Sequence, residues 1–189
     1  MINAERVSTY RPPEFKNLPG FNVQEVRVAG NRGACGGVEM TLAAVSQIME
    51  VVPQDVNIWT TNTPVNFPPA FEIYGERLKN AKGDISIIPD GAVLIISAHG
   101  ASPEMFEEAQ KRKILVIDTT CPLVLDEQEK VRQAAKDGVH SIFLGEEDHP
   151  ETIGIRGQVP PEAITVFDPS KEIGDVSIPD GARIFAKTT

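Results

Sequence analysis

Apolar residues form a series of short runs along the chain, and several runs are nearly continuous rather than alternating with polar residues. Continuous runs rich in Val, Ile and Leu are typical of parallel strands that are buried on both faces. The pattern therefore predicts parallel strands with other elements covering the sheet. The predicted strands span residues 25–30, 56–61, 92–98, 114–119, 140–145, 163–167 and 182–186.

Helical spacing of apolar residues fills the intervals between these strands. After Gly37, apolar residues recur at steps of three and four and form one stripe, which predicts a helix ending before Pro53. Residues 71–81 also predict a helix, although Gly75 interrupts it with poor helix propensity.

Two further helices have well-marked ends. Residues 102–113 begin with Ser102 as a cap and Pro103 at the first helical position. A helix over residues 122–136 is followed by Gly138, a residue type that commonly terminates helices. The alternation of strands and helices predicts an α/β fold built on parallel sheets.

The length of 189 residues allows one large domain or two small ones. We predict an extended N-terminal arm over residues 1–22, a first α/β domain over 23–100 and a second over 101–189. Each domain is expected to be a mainly parallel sheet flanked by helices, with the boundary between the two sheets near residues 101–114.

Composition excludes several function classes. A net charge of -9 argues against a general nucleic-acid binder, which needs a basic face to displace counterions. No apolar run approaches the roughly 18 residues that indicate a membrane span. The first 22 residues lack the apolar centre of a signal peptide, so we expect a cytoplasmic protein whose two cysteines are reduced.

Four predicted strands run directly into loops that contain Cys or His. Ligands of open α/β sheets bind beyond the carboxyl ends of the strands, where the following helices also present free N–H groups. The reactive side chains are therefore expected to gather at one edge. They are Cys35, His99, Cys121 and His149.

The two cysteines each have a functional and a structural interpretation. Cys35 lies in the glycine-rich stretch GNRGACGGV, which matches neither a P-loop nor a dinucleotide-binding motif. Cys121, in DTTCP, directly precedes a helix whose N-terminus would stabilise a thiolate. Each is a candidate metal or cluster ligand or a nucleophile, and the alternative is a small packed thiol.

Histidines and one glutamate complete the candidate site. His99 and His149 end strands in loops of small residues and could bind an anion or a metal, whereas His140 is expected to be structural. Glu151 is either a first-turn helix residue or a proton donor in a cleft. Zinc and an iron–sulfur cluster both remain possible for this mixed donor set.

Five motifs in order carry a family resemblance: RGACGGV, SAHGASP, DTTCPLV, GEEDHPETIGIRGQ and the final KTT. Over about residues 25–189 the chain resembles the 4-hydroxy-3-methylbut-2-enyl diphosphate reductase (LytB) family. The resemblance implies two of three similar small domains and an iron–sulfur oxidoreductase. The implied reaction is reductive dehydroxylation of (E)-4-hydroxy-3-methylbut-2-enyl diphosphate to isopentenyl and dimethylallyl diphosphate, the last step of the non-mevalonate isoprenoid pathway.

The resemblance also assigns roles to individual residues. Cys35 and Cys121 match two of three cysteines that hold a 4Fe-4S cluster. The substrate diphosphate is expected on His99 and His149, and Glu151 is expected to supply protons. The same resemblance implies that Thr188 orients the substrate and that ferredoxin or flavodoxin donates the electrons.

The chain departs from the family pattern at several positions. A histidine–asparagine pair of the pattern reads Val65-Asn66 here, its phenylalanine before the first cysteine is Ala34, and TQTT reads AKTT, which introduces Lys187. Because the sequence ends at Thr189, before the family's third domain and third cysteine, we expect an incomplete chain of the full enzyme.

Two alternatives to an incomplete chain stay open. The chain could be a short homologue that completes its site with another chain. It could also be a non-catalytic relative that binds a cluster, zinc or a diphosphate, and the loss of a histidine at Val65 favours this alternative.

Overall fold

Two parallel sheets flanked by helices form the described part of the protein, which confirms the predicted α/β class. The structure is a computed structural model and describes residues 34–63, 73–171 and 178–188. The predicted arm over residues 1–22 and the predicted strand at 25–30 lie outside the described residues.

The first sheet has four parallel strands in the order β2-β1-β3-β4. Its most buried strand is β3, in which all four side chains are removed from water. A strand buried in this way accounts for the continuous apolar run in the sequence. The strands are β1 (Ile58–Thr60), β2 (Leu78–Asn80), β3 (Val93–Ile96) and β4 (Leu115–Asp118).

The second sheet has three parallel strands in the order β6-β5-β7. The central strand β5 carries Phe143, which is fully buried against Val131 and Ile155 of two covering helices. These strands are β5 (Ser141–Leu144), β6 (Ile164–Phe167) and β7 (Arg183–Ala186).

Among the described residues, four α-helices connect and cover the strands. They are α1 (Gly36–Val51), α2 (Pro103–Lys111), α3 (Pro122–Lys136) and α4 (Pro150–Arg156). The predicted ends of α1 and α3 are confirmed, since α1 stops before Pro53 and Gly138 has a φ of +70° just after α3. None of these described helices combines the length and the apolarity needed to span a membrane.

The helix predicted over residues 71–81 is wrong for its described portion. Gly75 has a φ of +63°, and only a single 3-10 turn follows before strand β2 begins at Leu78. Leu78 pairs with Ile58 in parallel register and is 4% exposed, so burial in the sheet outweighs helical propensity here.

The change from the first sheet to the second falls later than the predicted 101–114 region. Strand β4 pairs with β3, so the first sheet continues to Asp118 and the second begins at Ser141, after α3. The apolar run alone could not assign this strand to a sheet, because pairing is a long-range property. The domain bounds at residues 23–100 and 101–189 stay a prediction.

Helix α4 packs closely on the start of α2. A Cβ at Gly157 would lie 2.4 Å from the Cβ of Ser102, so this contact requires a glycine. The Gln158 side chain donates a hydrogen bond to the carbonyl oxygen of Ala101 at 3.4 Å. These contacts place the C-terminal end of α4 beside the loop that follows β3.

Candidate functional site

Both cysteines occupy the residue immediately before a helix. Cys35 is the N-cap residue of α1 and is exposed, whereas Cys121 is the N-cap residue of α3 and is half-buried. Both are free thiols. Each thiol therefore lies beside the free N–H groups at the start of a helix, in a position from which its sulfur can reach a ligand.

The first turn of α1 lies directly against Cys121. A Cβ built on Gly37 would lie 3.0 Å from the Cβ and 3.1 Å from the Sγ of Cys121. Only a residue without a side chain allows this approach, which explains one of the glycines around Cys35. The two cysteine loops are therefore brought together, as the sequence predicted.

The hydroxyl groups of two buried threonines stabilise this contact. The Thr41 Oγ1 donates to the carbonyl oxygen of Gly37 at 3.1 Å and lies 2.9 Å from the Thr119 Oγ1. Both threonines are buried. The bond joins the second turn of α1 to the segment that ends in Cys121, so it orients one cysteine loop relative to the other.

The two predicted histidines lie in edge-on contact. The ring centroids of His99 and His149 are 5.3 Å apart, with the planes at 84°. The Nδ1 of His149 accepts a hydrogen bond from the N–H of Glu151 at 3.2 Å, so its neutral ring carries the proton on Nε2. That nitrogen is then a donor available to an anion.

The two sets of predicted residues meet at the end of β3. The N–H of Cys121 donates to the carbonyl oxygen of Ala98 at 2.9 Å, directly before His99. The thiol loop and the histidine pair therefore share one edge of the molecule, at the carboxyl ends of the strands. His140, in contrast, lies 2.9 Å from the Thr165 hydroxyl between β5 and β6.

Glu151 and Thr188 are paired at the start of α4. The Glu151 side chain is fully buried and accepts hydrogen bonds from the Thr188 N–H at 2.7 Å and from its Oγ1 at 3.1 Å. The sequence had left Glu151 between a first-turn helix residue and a proton donor. The structure places it in the first turn and beside His149, which is the grouping that favours the second role.

Burial and neighbouring charges lower the pKa of both histidines. For His99 the largest cause is burial, followed by the charge of His149, while Glu151 acts in the opposite direction. For His149 burial is again first and the charge of Lys187 follows. Both rings are thus biased toward the neutral form before any anion binds.

Lys187 and Glu146 form an ion pair at the rim of this site, with Nζ and Oε2 2.7 Å apart. The lysine lowers the pKa of the Glu146 carboxyl through this hydrogen bond. Sequence reasoning noted Lys187 only as a departure from a motif and gave it no role. It missed Glu146 and Thr41 entirely, because nothing local to their sequence indicates which distant residues they contact.

The two thiols are the type of ligand that an iron–sulfur cluster takes, but the described residues offer too few ligands to hold one. Two thiols at helix N-termini suit iron, yet within residues 34–63, 73–171 and 178–188 no group of three or more His, Cys, Asp or Glu side chains could hold a metal ion. The mixed zinc site that the sequence allowed is therefore not formed by those residues. Val65 and Asn66 lie outside the described residues.

Known proteins similar to this chain show the family to which it belongs. The profile of the family described as LytB protein matches residues 26–189. A 4-hydroxy-3-methylbut-2-enyl diphosphate reductase of Acidothermus cellulolyticus is 30% identical over 88% of this chain and 48% of its own length. One of Actinobacillus pleuropneumoniae serotype 3 is 35% identical over 75% of this chain and 45% of its own length.

Solved structures share the fold. The E-1-hydroxy-2-methyl-but-2-enyl-4-diphosphate reductase of Plasmodium falciparum matches 83% of this chain and 48% of its own, with a TM-score of 0.72 and 27% identity. The chain thus spans about half the length of the relatives it matches. Because the family profile covers nearly the whole sequence, the chain belongs to the LytB protein family.

Proposed function

We propose that this chain carries part of the active site for reductive dehydroxylation of (E)-4-hydroxy-3-methylbut-2-enyl diphosphate to isopentenyl and dimethylallyl diphosphate. The observation that carries the proposal is the contact of Glu151 with Thr188, next to the His99–His149 pair. Proteins similar in sequence to this chain are named 4-hydroxy-3-methylbut-2-enyl diphosphate reductase. A cytoplasmic location is part of the same proposal.

The histidine pair is proposed to bind the diphosphate. The Nε2 of His149 is a donor because its Nδ1 is occupied by the Glu151 N–H. Both rings are half-buried, so a hydrogen bond to a phosphate oxygen is shielded from competing water. Binding of an anion would favour protonation of the His99 ring, whereas His149, whose Nδ1 accepts from the Glu151 N–H, would contact the anion as a neutral donor.

Glu151 is proposed to hold and deliver a proton, and Thr188 to orient the substrate. A fully buried carboxyl group beside two imidazoles can exchange protons with a bound ligand without bulk water. The Thr188 hydroxyl currently donates to this carboxylate. It can turn toward a substrate oxygen while the Thr188 N–H keeps the carboxylate in place.

Cys35 and Cys121 are proposed to supply two thiolate ligands of a 4Fe-4S cluster. When bound, such a cluster would supply the electrons and an open iron as a Lewis acid. The sequence contains two cysteines, so a further ligand would come from outside it. Ferredoxin or flavodoxin is the proposed electron donor.

Anaerobic reconstitution tests this proposal. The chain is compared with a chimera that appends the part of the Acidothermus cellulolyticus relative that follows its match. We expect the chimera to bind iron and sulfide and to reduce the substrate with reduced ferredoxin, and we expect Cys121→Ser to lose both properties. A chimera that binds zinc, or that holds the cluster and forms no product, would contradict the proposal.

A non-catalytic diphosphate-binding role is the second candidate. It is favoured by Val65 at the place of a motif histidine and by the presence of only two cysteines. In that case the chain would bind inorganic diphosphate through the histidine pair, while the chimera would form no product. Binding and turnover measured on the same two proteins therefore separate the two roles.

A further inference from the structure

Lys187 brings a positive charge to the rim of the candidate site. Its main chain continues the pairing of β7, since its N–H donates to the carbonyl oxygen of Leu144 at 3.1 Å. The next residue, Thr188, is bonded to Glu151 through both its N–H and its hydroxyl. The position of Lys187 relative to Glu151 is thus fixed by hydrogen bonds on either side.

The Lys187 side chain is directed to the turn that precedes His149. Its Nζ lies 2.7 Å from the Glu146 Oε2, and the N–H of His149 donates to the carbonyl oxygen of Glu146 at 3.1 Å. The lysine side chain is 24% exposed and the Glu146 side chain 46%. The ammonium is therefore partly withdrawn from water, and the Glu146 Oε2 that it contacts is buried although the Glu146 side chain as a whole is partly exposed.

The charge of Lys187 reaches both imidazoles. Burial is the largest cause of the lowered pKa of both rings, and the Lys187 charge lowers each pKa further, as the second cause for His149 and the smallest for His99. Glu151 and Glu146 carry the opposing charges around His149. Both histidines are biased toward neutrality, so the Lys187 ammonium is the group beside them that can offer charged hydrogen bonds to an anion.

We propose that Lys187 exchanges Glu146 for the diphosphate of the bound ligand and is a third contact to that group, beside His99 and His149. This inference rests on the proposed function, because it takes the histidine pair as the diphosphate site. The Glu146 side chain is 46% exposed, so its carboxylate can be rehydrated when Lys187 leaves it, and a partly exposed ion pair contributes little to stability. A diphosphate carries more charge than one carboxylate and accepts stronger charge-assisted hydrogen bonds.

Calorimetric titration of the 189-residue chain with inorganic diphosphate tests this contact. Removal of the charge in Lys187→Gln should weaken binding by roughly ten- to a hundredfold, since charged hydrogen bonds are among the strong ones. Lys187→Arg should retain affinity within a few-fold of the original protein. Lys171→Gln is the matched control, because Lys171 is an exposed lysine that also pairs with a carboxylate, that of Asp168, and its loss should leave affinity unchanged.

A substitution of the partner separates ligand contact from support of the turn. Glu146→Gln releases Lys187, so it should bind diphosphate at least as tightly as the original protein. If Lys187 acted only by holding the turn before His149, Glu146→Gln would weaken binding as much as Lys187→Gln does. That result, or unchanged affinity in Lys187→Gln, would overturn the inference.

A histidine variant distinguishes an error in the lysine contact from an error in the proposed diphosphate site. Weaker binding in His149→Asn together with unchanged binding in Lys187→Gln would overturn the lysine contact alone. An original protein that binds no diphosphate, or a His149→Asn variant that binds it normally, would overturn the diphosphate site and the inference together. Unfolding curves of every variant confirm that each is folded.

Discussion

At the scale of single residues, the position of each group relative to its neighbours decides its chemistry. The sequence allowed Glu151 to be a first-turn helix residue, and the structure shows in addition that it is fully buried and accepts two hydrogen bonds from Thr188. His149 is limited to one donor nitrogen by the Glu151 N–H. The proposed reaction needs a hydrogen-bond donor for the anionic substrate and a source of protons. The His149 ring and the buried Glu151 carboxyl group can supply these.

The histidines predict a pH dependence of folding. The pKa of both rings is lowered below 6.5 in the folded protein, so the unfolded chain binds more protons in that interval. The free energy of unfolding should therefore fall as the pH drops from about 6.5 through the folded pKa. Urea denaturation at several pH values should show a smaller slope in the double variant His99→Asn, His149→Asn, and equal slopes would contradict the burial argument.

At the scale of elements, the site depends on how closely α1 approaches the segment before α3. Gly37→Ala would place a methyl group 3.0 Å from the Cys121 Cβ, and such overpacking costs about 1–3 kcal/mol. Urea denaturation should therefore show a destabilised protein. Gly36→Ala is the control, since it meets nothing within 4 Å and gains helix propensity. A Gly37→Ala variant as stable as Gly36→Ala would contradict the close contact.

Elements that are marked by residues at their own ends were predicted well. Elements that form only through pairing with a distant strand were predicted poorly. The starts of α2 and α3 are marked by Pro103 and Pro122, which are the first residues of these helices. Strand β2 was missed because its three residues carry no strand pattern and are extended only through pairing with β1. The gathering of Cys and His was predictable, because parallel strands end at one edge.

At the scale of the whole molecule, two parallel sheets present their reactive loops at one edge, and α4 packed on the start of α2 keeps those loops together. At a net charge of -9, the proposed anion site depends on local donors, which are His99, His149 and Lys187. The Lys187–Glu146 pair has no local motif, so only the folded arrangement indicates it.

The most direct test of the proposed chemistry is the rate of product formation by the reconstituted chimera with and without the Glu151 carboxyl. Glu151→Gln keeps the size of the side chain and removes its acid, so turnover should fall at least about a hundredfold, as expected for a lost general acid. Affinity for inorganic diphosphate should stay close to that of the original chimera. Turnover within a few-fold of the original, with the cluster present in both proteins, would contradict the assignment of Glu151 as the proton donor.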